Sequence, residues 1–264
     1  MNSSFFFQLP SYILVALIFS LIILCNWSGY WFKKMQLQKH PGEVHEKIGS
    51  VEGSILGVMS LLLGFTFSVA VSKFEARRQL TVEEANDIGT AILRCDLYPD
   101  SIRTPLRADF KEYLETRIAY YTAGSDEEKI SGELKKAALI SGRIWKRVTF
   151  YSNDQDFRIR SQQMIPVLNN VIDIATTRDA MRLSKVPPLI LYTLLLLILI
   201  AAFLLGTDYT GKRRNKILIL GYAIVMTITL NLINELNRPR RGLINLDAVE
   251  QKMVDLREQF QQEK

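Results

Sequence analysis

The sequence predicts an all-α integral membrane protein. It has four transmembrane helices and a helical extramembrane domain between the second and the third, and the second transmembrane helix continues into that domain. Two observations predict this fold class. Four runs contain no charged residue and match the ~20 residues that a membrane-spanning helix needs. Between the second and third runs, apolar residues recur at helical spacing rather than in alternation. The uncharged runs are 9–32, 53–72, 186–207 and 217–234.

The first transmembrane helix is expected at about 9–32. No basic residue precedes this run and no small-residue cleavage pattern follows it, so it does not resemble a removable signal peptide. The run ends with Trp27, Tyr30 and Trp31, which are typical of the interface between membrane and water. We therefore expect a permanent span.

The second transmembrane helix is expected at about 51–72, and its helical pattern continues to Leu97, just before Pro99. A helix over 51–97 would be about 70 Å long at 1.5 Å per residue. Three more helices complete the expected extramembrane domain. One of them carries Leu106, Phe110 and Tyr113 at spacings of three and four residues.

The third and fourth transmembrane helices are expected at about 188–207 and 216–234. After the fourth, Leu246 and Met253 belong to a narrow apolar stripe on a short amphipathic helix, which we expect to pack on the domain. The expected division of the chain is 1–72 for the first two spans, 73–187 for the domain, 188–234 for the last two spans and 235–264 for the C-terminal helix.

The charge of the chain is explained by a lipid bilayer rather than by nucleic acid. The formal net charge is +6 and the pI is about 9.2. The basic clusters at 33–34, 212–216 and 238–241 adjoin apolar runs, where lipid phosphates are the nearest anions. The lipid bilayer is therefore the expected partner.

No motif in the sequence predicts an enzyme or a cofactor. His40, Glu43 and His45 could ligate a metal, but their spacing fits no zinc pattern and a Pro-Gly pair interrupts them, so a solvated loop is the better interpretation. The two cysteines, Cys25 and Cys95, provide no disulfide framework. We expect no catalytic residue, no cofactor and no metal.

Small residues occupy one face of the second span. At 100° per residue they lie within an arc of about 120°. Such a face is typical of close helix packing, and it also fits the wall of a pore. The arc continues past the span as a polar and acidic face, which either a water-filled axis or plain exposure to solvent would explain. The candidate pore-lining residues are Gly57, Ser60, Gly64, Ser68 and Ser72, followed by Glu75 and Gln79.

Three segments resemble the signatures of an uncharacterised bacterial family described as bestrophin-like. The first is LLGFTFSVAVSKFEARRQLTVEEAN at 62–86, the second is PVLNNVIDIATTRDA at 166–180, and the third is LNRPRRGL at 236–243. The resemblance spans most of the chain. A more distant similarity to bestrophins rests on the LGF at 63–65, the four spans and the element that follows the last span.

Bestrophins are pentameric ion channels whose second spans line the pore and whose domain and termini are cytoplasmic. The resemblance implies a bestrophin neck near Gly57, Leu61 and Phe65. Gly57 is too small to constrict a pore, which leaves Leu61 and Phe65 as the candidate constriction. The segment 237–241 lacks the acidic cluster that bestrophins use for calcium, so we expect no calcium site.

The leading hypothesis is a homo-oligomeric ion channel, pentameric by resemblance, in the bacterial cytoplasmic (inner) membrane. The rival is a non-conducting membrane scaffold or sensor whose domain recruits a partner. Basic residues number eight on one side of the spans and nine on the other, so charge does not set the orientation. Resemblance to bestrophins places the domain and both termini in the cytoplasm.

Glu75 and Gln79 are the candidate selectivity residues. Copies of Glu75 around an axis would form a ring of carboxylates, which favours cations. We expect Lys73, Arg77 and Arg78 to point away from that axis, and the channel to be weakly selective for monovalent cations. The alternative is that Glu75 only pairs with Arg78 or Gln79 on the helix surface.

Overall fold

A computed structural model describes residues 9–39, 49–208, 216–238, 240 and 244–261, with the backbone alone at 49–52. The possible metal ligands His40, Glu43 and His45 lie outside the described residues, as does most of the basic cluster at 212–216. The helices of the described ranges, in chain order, are α1 (Ser11–Lys39), α2 (Gly49–Arg94), α3 (Asp100–Thr122), α4 (Glu127–Ser152), α5 (Arg158–Leu183), α6 (Pro188–Thr207), α7 (Lys216–Leu236) and α8 (Asp247–Asp255). Short 3-10 helices follow α2 at Cys95–Leu97 and α8 at Leu256–Phe260.

The prediction of an all-helical protein with four candidate membrane spans is confirmed for the described residues. No strand occurs within the described ranges, and four helical stretches there are long and apolar enough to cross a membrane. They lie in α1, in α2, in the stretch Arg158–Thr207 that contains α6, and in α7. The long helix expected over 51–97 is present as α2, with its last three residues in the 3-10 helix.

The described chain divides into two compact units. Unit 1 comprises Met1–Lys73 and Lys185–Arg238, and unit 2 comprises Phe74–Ser184 and Pro239–Lys264. One boundary between the units lies within α2, after Lys73, so this helix contributes to both units.

In unit 1, α1 packs against α6 and α7. Two glycines make the contact with α6 possible. A Cβ added at Gly206 would lie 2.9 Å from Tyr30 N and closer still to the Asn26 carbonyl oxygen, and one added at Gly29 would lie 3.0 Å from the Phe203 carbonyl carbon. Asn26 Nδ2 also donates to Ala202 O at 3.0 Å. Small residues thus bring two helical backbones together, as in close packing of membrane helices.

Unit 2 is built around one apolar core, to which α2, α3, α4 and α5 contribute. Phe110 and Leu114 of α3 meet Ile144 and Val148 of α4 there. Helix α4 begins at an N-cap, Asp126, whose carboxylate accepts hydrogen bonds from the backbone N–H groups of Glu128 and Lys129. From the C-terminal segment, Met253 of α8 is fully buried in the same core.

Candidate functional site

The candidate pore-lining residues lie on one face of α2 that the chain itself leaves uncovered. Leu61 is 59% and Phe65 62% exposed, whereas an apolar side chain in a protein core would be covered. No described atom lies within 4 Å of a Cβ built on Gly57 or Gly64. We call this face the α2 stripe; Gly57, Ser60, Gly64, Ser68, Ser72, Glu75 and Gln79 on it are all exposed.

The opposite face of α2 is buried in unit 1. Met59, Thr66 and Ala70 are all covered, and their spacings of seven and four residues keep them on one side of a helix. The Thr66 hydroxyl donates a hydrogen bond to Leu62 O at 2.7 Å. On α7, the Tyr222 hydroxyl lies 3.8 Å from Met59 Sδ and donates to Ile198 O at 3.0 Å. Packing therefore fixes one side of α2 and leaves the α2 stripe free to meet water, lipid or another copy.

Glu75 pairs with Arg78 on the surface of α2, as in the alternative interpretation, and the direction of Arg78 relative to a pore axis stays a prediction. Arg78 Nε lies 3.0 Å from both carboxylate oxygens of Glu75, and both side chains are about half exposed. The pair joins positions three residues apart on one helix, and a long guanidinium side chain reaches back along the helix to a neighbour one turn before it. The carboxylate of each chain thus has a basic partner beside it.

Arg77 does point away from the stripe, as expected. Its buried side chain donates from Nη2 to Ser184 O at 2.7 Å and from Nε to Met181 O at 3.2 Å. These carbonyls lie at the C-terminal end of α5, where helical backbone acceptors have no partner within the helix. Arg77 therefore joins α2 to the end of α5 within unit 2.

The sequence analysis did not identify a cluster of buried charges on the face of α2 opposite the stripe. Glu84 of α2 is fully buried, and its Oε1 accepts from Arg117 Nε of α3 while its Oε2 accepts from Arg178 Nη1 of α5. We call Glu84, Arg117 and Arg178 the buried triad. Burial by itself raises the pKa of Glu84, but the charges of the two guanidinium groups outweigh it and hold the pKa below its ordinary value. Glu84 is therefore ionised at neutral pH.

Neighbouring side chains supply further contacts to the triad. The Tyr121 hydroxyl donates to Glu84 Oε2 at 2.9 Å, and Arg178 Nη2 donates to Thr81 Oγ1 at 2.9 Å. Two tyrosine rings receive the cations, with Arg117 over Tyr120 at 4.5 Å and Arg178 over Tyr121 at 4.2 Å. Such cation–π contacts partly compensate a guanidinium that has left water.

The three signature segments meet around this cluster. Thr81 and Glu84 come from the first segment and Arg178 from the second. From the third segment, Arg240 lies over the Tyr120 ring at 4.3 Å and its Nη1 donates to Gly124 O at 3.4 Å. The sequence signal that could have revealed this cluster is the spacing of Arg77, Thr81 and Glu84. This spacing places polar residues on the face of α2 opposite the stripe.

The third signature segment also makes hydrogen bonds within unit 1. Asn237 Oδ1 accepts from Val186 N at 3.0 Å, and Arg238 Nη1 donates to Leu9 O at 2.7 Å.

Within the described ranges, no group of three or more His, Cys, Asp or Glu side chains is arranged to hold a metal ion. Among the described residues, the candidate features are therefore the α2 stripe and the buried triad.

Comparison with known proteins identifies relatives at the level of family and fold. A family model described as the Bestrophin-like domain matches residues 16–249. No match was found among curated proteins.

Solved structures with a similar fold include a bacterial bestrophin homologue from Klebsiella pneumoniae, at 14% identity and a TM-score of 0.66, covering 94% of this chain and 98% of that one. A point variant of a bestrophin homologue from the same organism matches at 13% identity and a TM-score of 0.67, covering 92% and 97%. A protein described only as a membrane protein matches at 13% identity and a TM-score of 0.69, covering 95% and 96%. At such identities the likeness shows the fold alone.

Proposed function

The chain belongs to the Bestrophin-like domain family, and from that premise we propose that it forms a homo-pentameric ion channel. In this channel the α2 helices of the copies surround the axis and the α2 stripe lines the pore. The ring is placed in the bacterial cytoplasmic (inner) membrane, with the helical domain at 73–187 and both termini in the cytoplasm. Inorganic ions are the proposed transported species.

The uncovered α2 stripe is the observation that carries this proposal. A span whose small and polar residues face lipid would gain nothing from that composition, whereas an axis shared by several copies accommodates them. Ser68 and Ser72 are exposed hydroxyl-bearing residues on this face, and Glu75 and Gln79 continue it. Polar side chains on a helix that faces lipid are costly. This cost favours contact of this face with water.

Leu61 and Phe65 form the proposed constriction. They are the largest apolar side chains among the small residues of the stripe, and both are exposed in the single chain. A ring of apolar side chains resists ions by excluding water from a narrow passage. Smaller residues of the stripe flank this ring, with Gly57 about one turn before Leu61 and Ser68 about one turn after Phe65.

Weak cation selectivity is proposed to arise from Glu75 in competition with Arg78. Glu75 is eighteen residues after Gly57, which at 100° per residue is about five full turns, so it lies at the middle of the arc. Arg78 lies about 60° to one side of it. The carboxylate therefore faces the proposed axis more directly than the guanidinium does, but each copy contributes both charges, which keeps the expected selectivity weak.

A membrane scaffold or sensor is the second candidate. Exposed small residues on a span also favour direct packing between two helices of different copies, with no open axis. Under this reading the stripe is an ordinary dimer contact, and unit 2 recruits a partner.

The mass of the detergent-solubilised particle separates the two candidates. Sedimentation with the detergent contribution subtracted should give five copies for the proposed channel. A dimer supports the scaffold, and a monomer rules out a pore lined by several α2 helices. Gly64→Trp, which fills the open space on the stripe, is a matched variant: it should disrupt the assembly, while Gly221→Trp, on an exposed position of α7, should leave it unchanged.

A further inference from the structure

The part of α2 that belongs to unit 2 has one face that the chain leaves uncovered. Gln79, Asn86 and Leu93 are exposed on this face and follow one another at seven-residue intervals, about two helical turns each. Leu97, one turn after Leu93, is also exposed, whereas Ile88 on the other side of the helix is fully buried in the core. We call Gln79, Asn86, Leu93 and Leu97 the α2 seam. A seven-residue repeat is the spacing at which parallel helices pack along one another.

Opposite charges lie on the two edges of the α2 seam. Arg78 and Glu83 are both exposed and are five residues apart. At 100° per residue this separation places them about 140° from each other around the helix, with Gln79 between them. One edge of the seam is therefore basic at this height and the other edge is acidic.

Neither of these charges is fully satisfied within one chain. Arg78 reaches Glu75 through Nε alone, and its two Nη groups donate to no described residue. Glu83 makes no ion pair and no side-chain hydrogen bond with any residue that the structure describes. Burial and the carboxylates of Glu83 and Glu84 raise the pKa of Asp87, so the nearest charges to Glu83 include carboxylates. A cation from outside the chain would be favourable beside it.

We propose that the α2 seam is a contact surface for a second copy of this chain, in which Arg78 of one copy pairs with Glu83 of the next. This inference rests on the proposed function, because it requires the α2 helices of several copies to lie side by side. Five residues correspond to about 7.5 Å of helical rise, which an arginine and a glutamate side chain can span together. Copies related by rotation about one axis have no offset in height, so every copy can make the same pair.

The arrangement of the charges favours another copy over a different partner. A partner with charge of one sign would satisfy one edge of the α2 seam and leave the other edge unpaired. A second copy supplies the carboxylate that Arg78 lacks, and a third supplies the cation that Glu83 lacks. A contact between two different edges is heterologous, and heterologous contacts close into rings when the rotation between copies allows it.

The apolar and charged residues of this surface have different roles. Leu93 and Leu97 supply apolar area, which favours association without selecting a direction. The charges determine which edges meet, because opposite charges attract and like charges oppose each other across an interface. Asn86, a polar residue within the repeat, favours one register and one number of helices, as polar residues do in other parallel helix assemblies.

The test exchanges the two charges and measures the mass of the detergent-solubilised particle as the protein is diluted. Arg78→Glu places two carboxylates at each contact, and Glu83→Arg places two guanidinium groups there. Each single variant should lose the pentamer at a protein concentration about tenfold higher than the wild type does, because like charges then face each other. The double variant carries Arg78→Glu and Glu83→Arg, so opposite charges meet again, and it should recover the wild-type stability of the pentamer.

A matched control separates pairing from net charge. Glu128 is an exposed acidic residue on α4, so Arg78→Glu combined with Glu128→Arg has the same net charge as the double variant. This control should remain as dissociated as Arg78→Glu alone. Because Arg78, Glu83 and Glu128 are all exposed, the helical content measured by circular dichroism should be unchanged in every variant.

The outcomes distinguish this inference from the proposed function. A wild-type pentamer that both single variants retain unchanged would overturn the contact and leave the channel standing. Dissociation of the single variants without recovery in the double variant, or equal recovery with Glu128→Arg, would overturn the pairing of Arg78 with Glu83. A wild-type protein that is not pentameric would contradict the proposed function, and this inference with it.

Discussion

Replacing Gly206 with alanine should destabilise the contact between α1 and α6. The added Cβ would lie 2.9 Å from Tyr30 N and closer to the Asn26 carbonyl oxygen, so backbone rather than a flexible side chain must move. Overpacking of this kind costs about 1–3 kcal/mol. For a chain of this size each kcal/mol lowers the unfolding temperature by about 2–4 °C, which gives an expected decrease of about 2–12 °C.

The change can be followed by tryptophan fluorescence during heating in detergent. Trp27 and Trp31 lie on α1 on either side of Gly29, so they report on the helix that must move. Gly221→Ala is the matched control, because no described atom lies within 4 Å of its added Cβ and alanine favours the helix. Equal unfolding temperatures for Gly206→Ala and the wild type would refute the close packing of these two helices.

Three further predictions concern the stripe and the domain. Leu61→Ala combined with Phe65→Ala should raise single-channel conductance in planar bilayers by widening the apolar constriction, and a correctly assembled double variant without current would contradict that constriction. In a KCl gradient, Glu75→Gln should shift the reversal potential toward that of chloride and Arg78→Gln toward that of potassium; unchanged potentials in both would remove the pair from permeation. Burial raises the pKa of Cys95 to about 12, so a maleimide should not label it in the folded protein at pH 8 but should label it after unfolding in denaturant; labelling of folded Cys25→Ser protein would contradict its burial.

The spans could be predicted because a membrane imposes a strong and simple constraint. A helix must present about 20 apolar residues to cross, and such runs are visible in the sequence without knowledge of any contact. The length of α2 could be predicted for a related reason, since helical spacing continues past Ser72 with no proline or glycine pair to end it. The close contact at Gly29 and Gly206 could not, because which helix faces which depends on the packing of the whole bundle.

The buried triad was harder to predict than the stripe. A carboxylate on a helix outside the membrane is exposed in most proteins, so Glu84 resembled its exposed neighbour Glu83. Only the meeting of α2, α3 and α5 shows that Arg117 and Arg178 satisfy it. Helix angles likewise gave the directions of Glu75 and Arg78 from their backbone positions, but not the reach of the guanidinium.

The most direct measurement of the central claim is the current carried by Ser68→Cys protein in planar bilayers, in a Cys25→Ser and Cys95→Ala background. A pore lined by the α2 stripe should conduct, and a positively charged thiol reagent added from the water should reduce the current by attaching bulk and charge at Ser68→Cys. The same reagent should leave the cysteine-free protein unaffected. No current at verified insertion, or a current that the reagent does not change, would contradict a pore lined by α2.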